Sequence, residues 1–297
     1  MIPVKLEILF YLCPLHFIEN KLPESFIRIG MRISALNILI CTIVAMLTVS
    51  SCKYQKILKS GDSELKYEKA KAYYDKKDYT KALALFEQLI PIFRGTDRGE
   101  EVSYLQAYCN YYLRDYILAG HYFRKFNSQF QNSKFAEESA FMSAYCYYLD
   151  APKPELDQET TYKAISEFAI YMSRYPLSER LKECNEYMDE LRTRLEEKSY
   201  NTAMLYYRVG KYKAAVVSIR NSLKEFPDSE YREDLMFYIV KANYLYAIGS
   251  VYGKTTERLK DTLKDYKAFS KAFPESKYKK EAVRIYEDIN RKLGMLN

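Results

Sequence analysis

Several residue types that functional sites often need are scarce in this 297-residue chain. It contains no Trp, two His, nine Gly and nine Pro. So few Gly and Pro residues argue against an all-β protein, which needs many tight turns. After residue 51 the one histidine is His121. A metal site built from several histidines is therefore excluded there, and a Ser–His catalytic site would depend on that single residue.

Long blocks of one charge are also missing. The chain carries 46 Lys and Arg against 39 Asp and Glu, a net charge of +7, and the two signs alternate along it. Nucleic-acid binding is disfavoured, because contact with the phosphate backbone needs clustered basic residues. The sequence shows no catalytic carboxylate pair, Gly-rich phosphate loop or metal-ligand cluster. We therefore predict a protein that is not an enzyme and uses no cofactor, and we read Gly249–Thr256 as a flexible loop.

The N-terminal part reads as a targeting sequence. Residues 33–49 form an almost uncharged apolar run, and Val49, two serines and Cys52 follow it. An apolar residue, two small residues and Cys resemble the lipobox of bacterial lipoproteins, in which only a thiol accepts the diacylglycerol. We predict a signal peptide at 31–51, lipidation of Cys52, and an extension at 1–30 that arises from a start codon placed before Met31. The alternative is a transmembrane anchor, for which 17 residues are few.

The rest of the chain shows a helical repeat. Two stretches carry their marker residues at the same offsets of 0, 3, 12, 16 and 19, with Ala at 0 and 12 and Phe at 16 in both, and the second is shifted by 37 residues. This spacing resembles the tetratricopeptide (TPR) repeat, in which small residues lie where helices A and B cross closely. The two sets are Ala70, Tyr73, Ala82, Phe86 and Leu89, then Ala107, Asn110, Ala119, Phe123 and Phe126.

Three further units complete the predicted array. They begin at Ala144, Ala203 and Ala242, and the first and last carry eight-residue insertions between their helices, around 150–154 and at 249–256. Residues 178–207 contain no helix breaker and predict one long helix whose apolar seam braces the two halves. The junctions at 130–133, 175–178, 226–229 and 273–276 each run from Tyr or Phe to Ser, three of them with Pro second, and each Ser is expected to cap the next helix A. The predicted fold is all-α: a TPR-type α-solenoid of five helix–turn–helix repeats plus a C-terminal capping helix, about eleven helices.

The predicted organisation after the signal peptide has three parts. Residues 52–62 form a lipidated linker, residues 63–176 form repeats 1–3, and residues 177–297 hold the long helix, repeats 4–5 and the capping helix. Cys109, Cys146 and Cys184 lie in helical, mostly apolar patterns without a Cys-x-x-Cys spacing. They are expected to be buried free thiols.

A lipobox Cys, a short linker, five TPR-like pairs and repeated (Tyr/Phe)-Pro-x-Ser junctions together resemble the BamD family over residues 52–297. That resemblance implies a lipid-anchored, non-catalytic scaffold on the periplasmic face of the outer membrane. It also implies docking on the POTRA domains of the BamA insertase and contact with C-terminal segments of unfolded outer-membrane proteins. The Tyr-rich composition and the two insertions depart from the family pattern.

The inner helices carry the predicted peptide groove. Residues three before, one after and four after the first small position of each repeat fall on one helical stripe. Tyr suits an extended peptide because its ring meets side chains and its hydroxyl meets backbone groups, and Lys71 is expected to meet a terminal carboxylate. The alternative is that many of these rings belong to the core between repeats. The predicted groove residues are Tyr67, Lys71, Tyr74, Tyr104, Tyr108, Tyr111, Tyr145 and Tyr148.

The C-terminal half is expected to dock on the insertase. Arg220 and Lys224 lie four apart on an exposed face of the fourth helix B and are the predicted docking charges. Two other functions stay open: a glycan- or peptidoglycan-binding TPR lipoprotein, and a subunit of another envelope secretion complex. Sugar sites usually include Trp, which favours the assembly function here.

Overall fold

The computed structural model describes residues 53–296, which fall into two units divided after Asp62. In the first unit, residues 53–58 form a short helix. Within the described residues no helix is both long and apolar enough to cross a membrane. The predicted extension, signal peptide and lipidated Cys52 lie outside the described residues.

The second unit consists of helices, and the described residues contain no β-strand. Eleven helices follow one another from Ser63, in five A–B pairs and a final helix, so the predicted all-α solenoid is confirmed. They are α1 (Ser63–Asp75), α2 (Tyr79–Leu89), α3 (Asp97–Tyr112), α4 (Tyr116–Gln129), α5 (Ala136–Asp150), α6 (Glu159–Arg174), α7 (Leu181–Arg208), α8 (Tyr212–Glu225), α9 (Arg232–Ile248), α10 (Tyr252–Ala272) and α11 (Lys279–Leu296).

Small residues lie where the helices of each pair cross. Each crossing residue is fully buried, because any larger side chain would push the two backbones apart. The predicted positions are therefore confirmed in all five repeats. They are Ala70 and Ala82, Ala107 and Ala119, Ala144 and Ala164, Ala203 and Ala215, and Ala242 and Thr262.

The short A–B turns share one geometry. Lys77, Arg114 and Gly210 each adopt a positive φ, of 61°, 63° and 73°. Each lies two residues before the first residue of helix B. Glycine adopts this conformation freely, while Lys and Arg adopt it at some cost. In repeats 1 and 2 the next residue is an aspartate, Asp78 or Asp115, whose carboxylate accepts a hydrogen bond from the first turn of helix B.

The junction serines do not cap the next helix A as predicted. Each accepts a hydrogen bond from the backbone N–H two residues later, in a turn that ends before the helix begins. Three of them also donate to a glutamate of the preceding inner helix. These bonds tie the junctions to the array: Ser133 to Glu100 (2.5 Å), Ser178 to Glu137 (2.7 Å) and Ser276 to Glu233 (2.5 Å).

The long helix α7 joins two hydrophobic cores, as predicted. Cys184 and Leu191 belong to the cluster of repeats 2 and 3, whereas Ala203 and Met204 belong to the cluster of repeats 4 and 5. Cys184 is buried, as are Cys109 and Cys146, and all three are free thiols as expected.

The two insertions differ. Residues 151–158 form a loop held on α7, where Arg194 donates to the carbonyl of Ala151 (3.0 Å) and Lys198 to that of Leu156 (2.8 Å). The second insertion is not the flexible loop that was predicted. Helix α10 begins at Tyr252, so three residues link it to α9 and the insertion lengthens α10 to 21 residues.

Candidate functional site

One tyrosine–carboxylate hydrogen bond joins each inner helix to the next. We call the five carboxylates, with their tyrosines, the acidic hubs. A tyrosine hydroxyl on one helix A donates to an Asp or Glu of the following helix A, so every A–A interface contains one. The pairs are Tyr67 with Glu101, Tyr108 with Glu138 (2.9 Å), Tyr148 with Glu190 (2.6 Å), Tyr200 with Asp234 (3.5 Å) and Tyr244 with Asp288 (2.5 Å).

Each hub carboxylate also pairs with a cation. The contacts are Lys71 with Glu101 (2.9 Å), Arg180 with Glu138 (2.6 Å), Arg194 with Glu190 (2.5 Å), Lys277 with Asp234 (2.7 Å), and both Arg291 and Lys292 with Asp288. Charge-assisted hydrogen bonds of this kind are stronger than neutral ones. The hubs therefore hold the inner helices in register.

These partners lower the pKa values of three hub carboxylates. The hydrogen bond from Tyr148, followed by that from Arg194, lowers the pKa of Glu190. The bond from Tyr244 likewise lowers the pKa of Asp288. Burial alone would raise the pKa of Glu101, but the hydrogen bonds from Tyr67 and Lys71 bring it below its ordinary value. All three carboxylates are therefore charged at neutral pH.

The first repeat does not present its predicted residues as an open groove. Tyr67 is buried and bonded to Glu101. The amine of Lys71 is already paired with the same carboxylate, so it does not stand ready for a peptide carboxylate as expected. Tyr74 packs edge-on against Tyr79 (5.6 Å between ring centres), and burial raises its pKa.

Tyr104 is partly buried and packs against the core. Its ring stacks on Phe135 of the next junction at 4.2 Å and contacts Phe126 at 5.7 Å. Burial raises the pKa of its hydroxyl. These contacts favour the alternative, a core position between repeats, for Tyr104.

The remaining four predicted tyrosines lie in a row of partly exposed rings that consists of two groups of contacting rings. We call this row the aromatic strip: Tyr79, Tyr108, Tyr111, Tyr112, Tyr145, Tyr148 and Tyr187. Neighbouring rings touch, with Tyr79 on Tyr112 at 4.5 Å and Tyr148 on Tyr187 at 4.4 Å between centres. One group of contacting rings, Tyr79, Tyr108, Tyr111 and Tyr112, lies on α2 and α3, and the other, Tyr145, Tyr148 and Tyr187, lies on α5 and α7. Burial, and then the nearby Tyr145, raise the pKa of Tyr111.

Sequence reasoning missed three members of the strip. Tyr79 opens α2, Tyr112 closes α3 and Tyr187 lies on α7. The first two fall at helix ends beside the A–B turns, outside the stripe that the repeat offsets define. Tyr187 lies three residues after the buried Cys184, a spacing that repeats the Ala70–Tyr73 step.

The two predicted docking charges differ in their surroundings. The guanidinium of Arg220 donates to both carboxylate oxygens of Asp265 on α10 at 2.9 Å. Asn243 donates to the same carboxylate at 2.6 Å. Arg220 therefore links α8 to α10, whereas Lys224 is exposed. The structure brings the two residues together on α8, but their roles are not equivalent.

Within residues 53–296, no three His, Cys, Asp or Glu side chains are grouped to hold a metal ion. What the inner helices offer is a surface of aromatic rings with charged pairs at its edges. Such a surface suits an extended polypeptide, since the rings contact apolar side chains and the hydroxyls meet backbone groups.

A family model for an outer membrane lipoprotein, YfiO, matches residues 60–252. No curated protein matches the chain significantly. Two solved structures are similar over much of the chain. The TPR domain of P58(IPK) is 15% identical, with 85% of this chain and 67% of that chain covered at a TM-score of 0.36. TPR-like repeats of a putative kinesin light chain from Podosopora anserina are 13% identical, with 72% and 98% covered at a TM-score of 0.30.

Proposed function

The chain belongs to the YfiO family of outer membrane lipoproteins, and from that premise we propose that it is a non-catalytic subunit of the β-barrel assembly machinery. In this proposal Cys52 carries the lipid that holds the protein on the periplasmic face of the outer membrane. Its C-terminal half docks on the POTRA domains of a BamA-like insertase. Its N-terminal half receives unfolded outer-membrane proteins. Tethering to one membrane raises the effective concentration of the partners for each other.

The aromatic strip is the observation that supports the receiving role. Its rings lie on α2, α3, α5 and α7 and stay partly exposed, and Tyr112 is 45% exposed. An extended C-terminal segment that ends in an aromatic residue would lay its apolar side chains across these rings. Since Lys71 is paired with Glu101, the cation for the terminal carboxylate is assigned to Arg114, an exposed residue of the A–B turn directly after Tyr112.

The test removes two rings of the strip that are not hub tyrosines. The double variant Tyr111→Ala, Tyr145→Ala should weaken binding of a peptide from the C-terminus of an outer-membrane barrel protein about tenfold, since each ring contact contributes about 0.5–1.5 kcal/mol. Titration calorimetry would measure the affinity, and circular dichroism would confirm that the helices remain. The matched control is Tyr266→Ala, Tyr286→Ala, a stacked pair at 4.6 Å between α10 and α11. Unchanged affinity in the first variant, or equal loss in the second, contradicts the proposal.

Docking on the insertase is proposed to use the exposed face of α8, with Lys224 as the charge available to a partner. Lys224→Glu should lower the yield of a BamA-like protein in a pull-down from detergent-solubilised membranes. Arg220→Glu should lower it as well, but through loss of the link to Asp265. Asp265→Asn separates the two explanations, because it breaks that link and leaves the charge of Arg220 in place. Full recovery of the insertase with Lys224→Glu would exclude Lys224 from the dock.

A further inference from the structure

Exposed apolar side chains are concentrated at one edge of the array. Most of the large apolar residues that are at least 40% exposed lie in or beside the turns between helices A and B. In repeats 2 and 3 these are Tyr112, Leu113, Ile117, Leu118, Leu156 and Tyr162, and in repeats 4 and 5 they are Leu205, Tyr206, Val209, Val217, Ile248 and Val251. Single exposed apolar residues are ordinary, but a series along one edge indicates a contact surface.

In repeats 4 and 5 this edge is basic as well as apolar. Residues 205–217 contain Arg208, Lys211 and Lys213 and no Asp or Glu, and residues 245–256 contain Lys254 and no Asp or Glu. All four cations are exposed, and none forms an ion pair with another residue of 53–296. The opposite edge differs because its junctions carry both signs: Asp228, Glu230 and Arg232 lie between the two repeats, and Glu275 and Lys277 lie after repeat 5.

A depression lies beside the first of these turns. Its volume is about 820 Å³, and its walls include Tyr206, Tyr212, Val217 and Tyr246, with Lys211 and Lys213 at its rim. An apolar depression next to two ammonium groups matches the chemistry of a phospholipid, which joins acyl chains to an anionic headgroup. Tyr is suited to such a boundary because its ring is apolar and its hydroxyl is polar.

We propose that the A–B turns of repeats 4 and 5 form a membrane-contacting edge that binds anionic phospholipid. The four cations meet the headgroups, and Val209, Val251 and their apolar neighbours enter the boundary between headgroups and acyl chains. This proposal rests on the lipid anchor of the proposed function, which keeps the chain at a membrane surface. A second, weaker contact would then fix how the array lies on that surface, because stable attachment commonly combines a lipid with a basic patch.

The chain contains no Trp, so a single introduced Trp reports on one position alone. The variants Val209→Trp and Val251→Trp place the probe on the two turns, at positions 57% and 74% exposed. Leu177→Trp places it on a B–A junction, at a position 96% exposed, as the matched control. The full-length lipidated protein is reconstituted into phosphatidylcholine–phosphatidylglycerol vesicles with and without brominated acyl chains. We expect bromine to quench the two turn probes about twofold and to leave the control unchanged.

The cations are tested in the Val251→Trp background. Replacing Arg208, Lys211 and Lys213 by Ser should reduce quenching to the level seen in pure phosphatidylcholine vesicles. Replacing the exposed Lys267, Lys271 and Lys280 by Ser removes the same charge elsewhere and should have no effect. If both triple variants reduce the quenching equally, the net charge of the protein rather than this edge attracts the membrane, and the proposal is overturned.

The outcomes separate this proposal from the proposed function. A protein that fails to float with vesicles overturns both the lipid anchor and the membrane-contacting edge. Flotation without quenching of either turn probe, or with equal quenching of the Leu177→Trp control, overturns the edge and leaves the anchor standing. Protection of the turn probes from acrylamide by a co-purified protein, without bromine quenching, assigns the edge to a protein partner instead.

Discussion

Repeats 1–3 and repeats 4–5 contain the same helix pairs and the same acidic hubs, yet their cores differ in composition. The core of repeats 2 and 3 is rich in Ala, Phe, Tyr and Cys, including Phe123, Cys146 and Tyr147. The core of repeats 4 and 5 is mostly aliphatic, with Leu235, Ile239 and Val240. The small crossing residues and the hubs fix the architecture in both halves, and the other positions are free to differ.

The difference in the cores extends to the two surfaces. Around the aromatic core, partly buried tyrosines such as Tyr111, Tyr145 and Tyr187 pack from the outside and leave ring edges exposed. Exposed apolar residues lie at the A–B turns of both halves, but around the aliphatic core they lie beside cations and no carboxylate. One half therefore offers an aromatic strip and the other a basic, apolar edge. The comparison suggests that two contacts of different chemistry share one scaffold.

The largest expected effect on stability comes from creating a cavity in either core. Phe123 and Phe237 are both fully buried, one in each cluster. Phe123→Ala and Phe237→Ala should each lower the free energy of unfolding by about 3–5 kcal/mol, because the cavity adds to the lost burial. Urea denaturation followed by circular dichroism measures this. A loss below about 1 kcal/mol in either variant would contradict the packing described here.

Thiol labelling can show which half opens in these variants. Burial raises the pKa of Cys109 and Cys146 to about 12 and that of Cys184 to about 11, so alkylation at pH 8 requires opening of the structure. All three cysteines pack in repeats 2–3 or against them. Phe123→Ala should accelerate labelling about a hundredfold or more, and Phe237→Ala much less. Equal acceleration would mean that α7 couples both cores into one cooperative unit.

The second largest effect is expected at Gly99, which has no space for a side chain, and we compare it with Gly253, which has space for one. A Cβ added to Gly99 at the start of α3 would lie 2.1 Å from the carbonyl oxygen of Phe93, whereas one added to Gly253 at the start of α10 meets nothing within 4 Å. Gly99→Ala should destabilise by about 1–3 kcal/mol, since backbone must move. Gly253→Ala should stabilise by about 0.4–1 kcal/mol, since it reduces the freedom of the unfolded chain. Thermal unfolding of both variants checks the sign; a stabilised Gly99→Ala would refute the close approach.

The sequence was most informative where sterics act locally. The twelve-residue spacing of Ala70 and Ala82 recurs in repeats 2 and 4, and it places small residues at each crossing because a larger group would separate the helices. The unbroken run after Ser178 likewise predicts α7. Periodicity assigns a residue to a helical face, which was enough to place Tyr108, Tyr111, Tyr145 and Tyr148 on the inner helices as partly exposed rings, while their binding role stays a prediction.

The sequence was less informative where a partner lies 30 or more residues away. Tyr67 and Tyr111 occupy similar stripes, but Tyr67 meets Glu101 of the next helix and is buried. Nothing in the spacing of either residue reveals that carboxylate. The Gly249–Thr256 segment was misassigned for a related reason. Two glycines suggest a loop, but after Val251 adopts an extended conformation the chain continues as helix, and Thr255 donates to the carbonyl of Val251.

The smallest expected effect comes from protonating the hubs. Glu101, Glu190 and Asp288 have pKa values below normal in the folded protein, so their stabilisation is present at neutral pH. It is lost as the pH falls below about 4, the unfolded value, through the lower folded values. Because solvent screens these partly exposed pairs, each should contribute less than about 1 kcal/mol. Denaturation midpoints measured between pH 6 and pH 3 give the loss of stability that acid causes.

Two variants divide this loss between the halves. Glu101→Gln with Glu190→Gln removes the two shifted hubs whose tyrosines lie in repeats 1 and 3, and Asp288→Asn removes the one whose tyrosine lies in repeat 5. If the variants fall with pH as steeply as the unaltered protein, the hubs do not bind their tyrosines and cations as described. We expect instead that both are less stable at pH 6 and less sensitive to acid, the double variant more so. Near pH 3 the stabilities of the variants should approach that of the unaltered protein. The hub carboxylates of the unaltered protein are then protonated, so they carry no charge, like the amides of the variants.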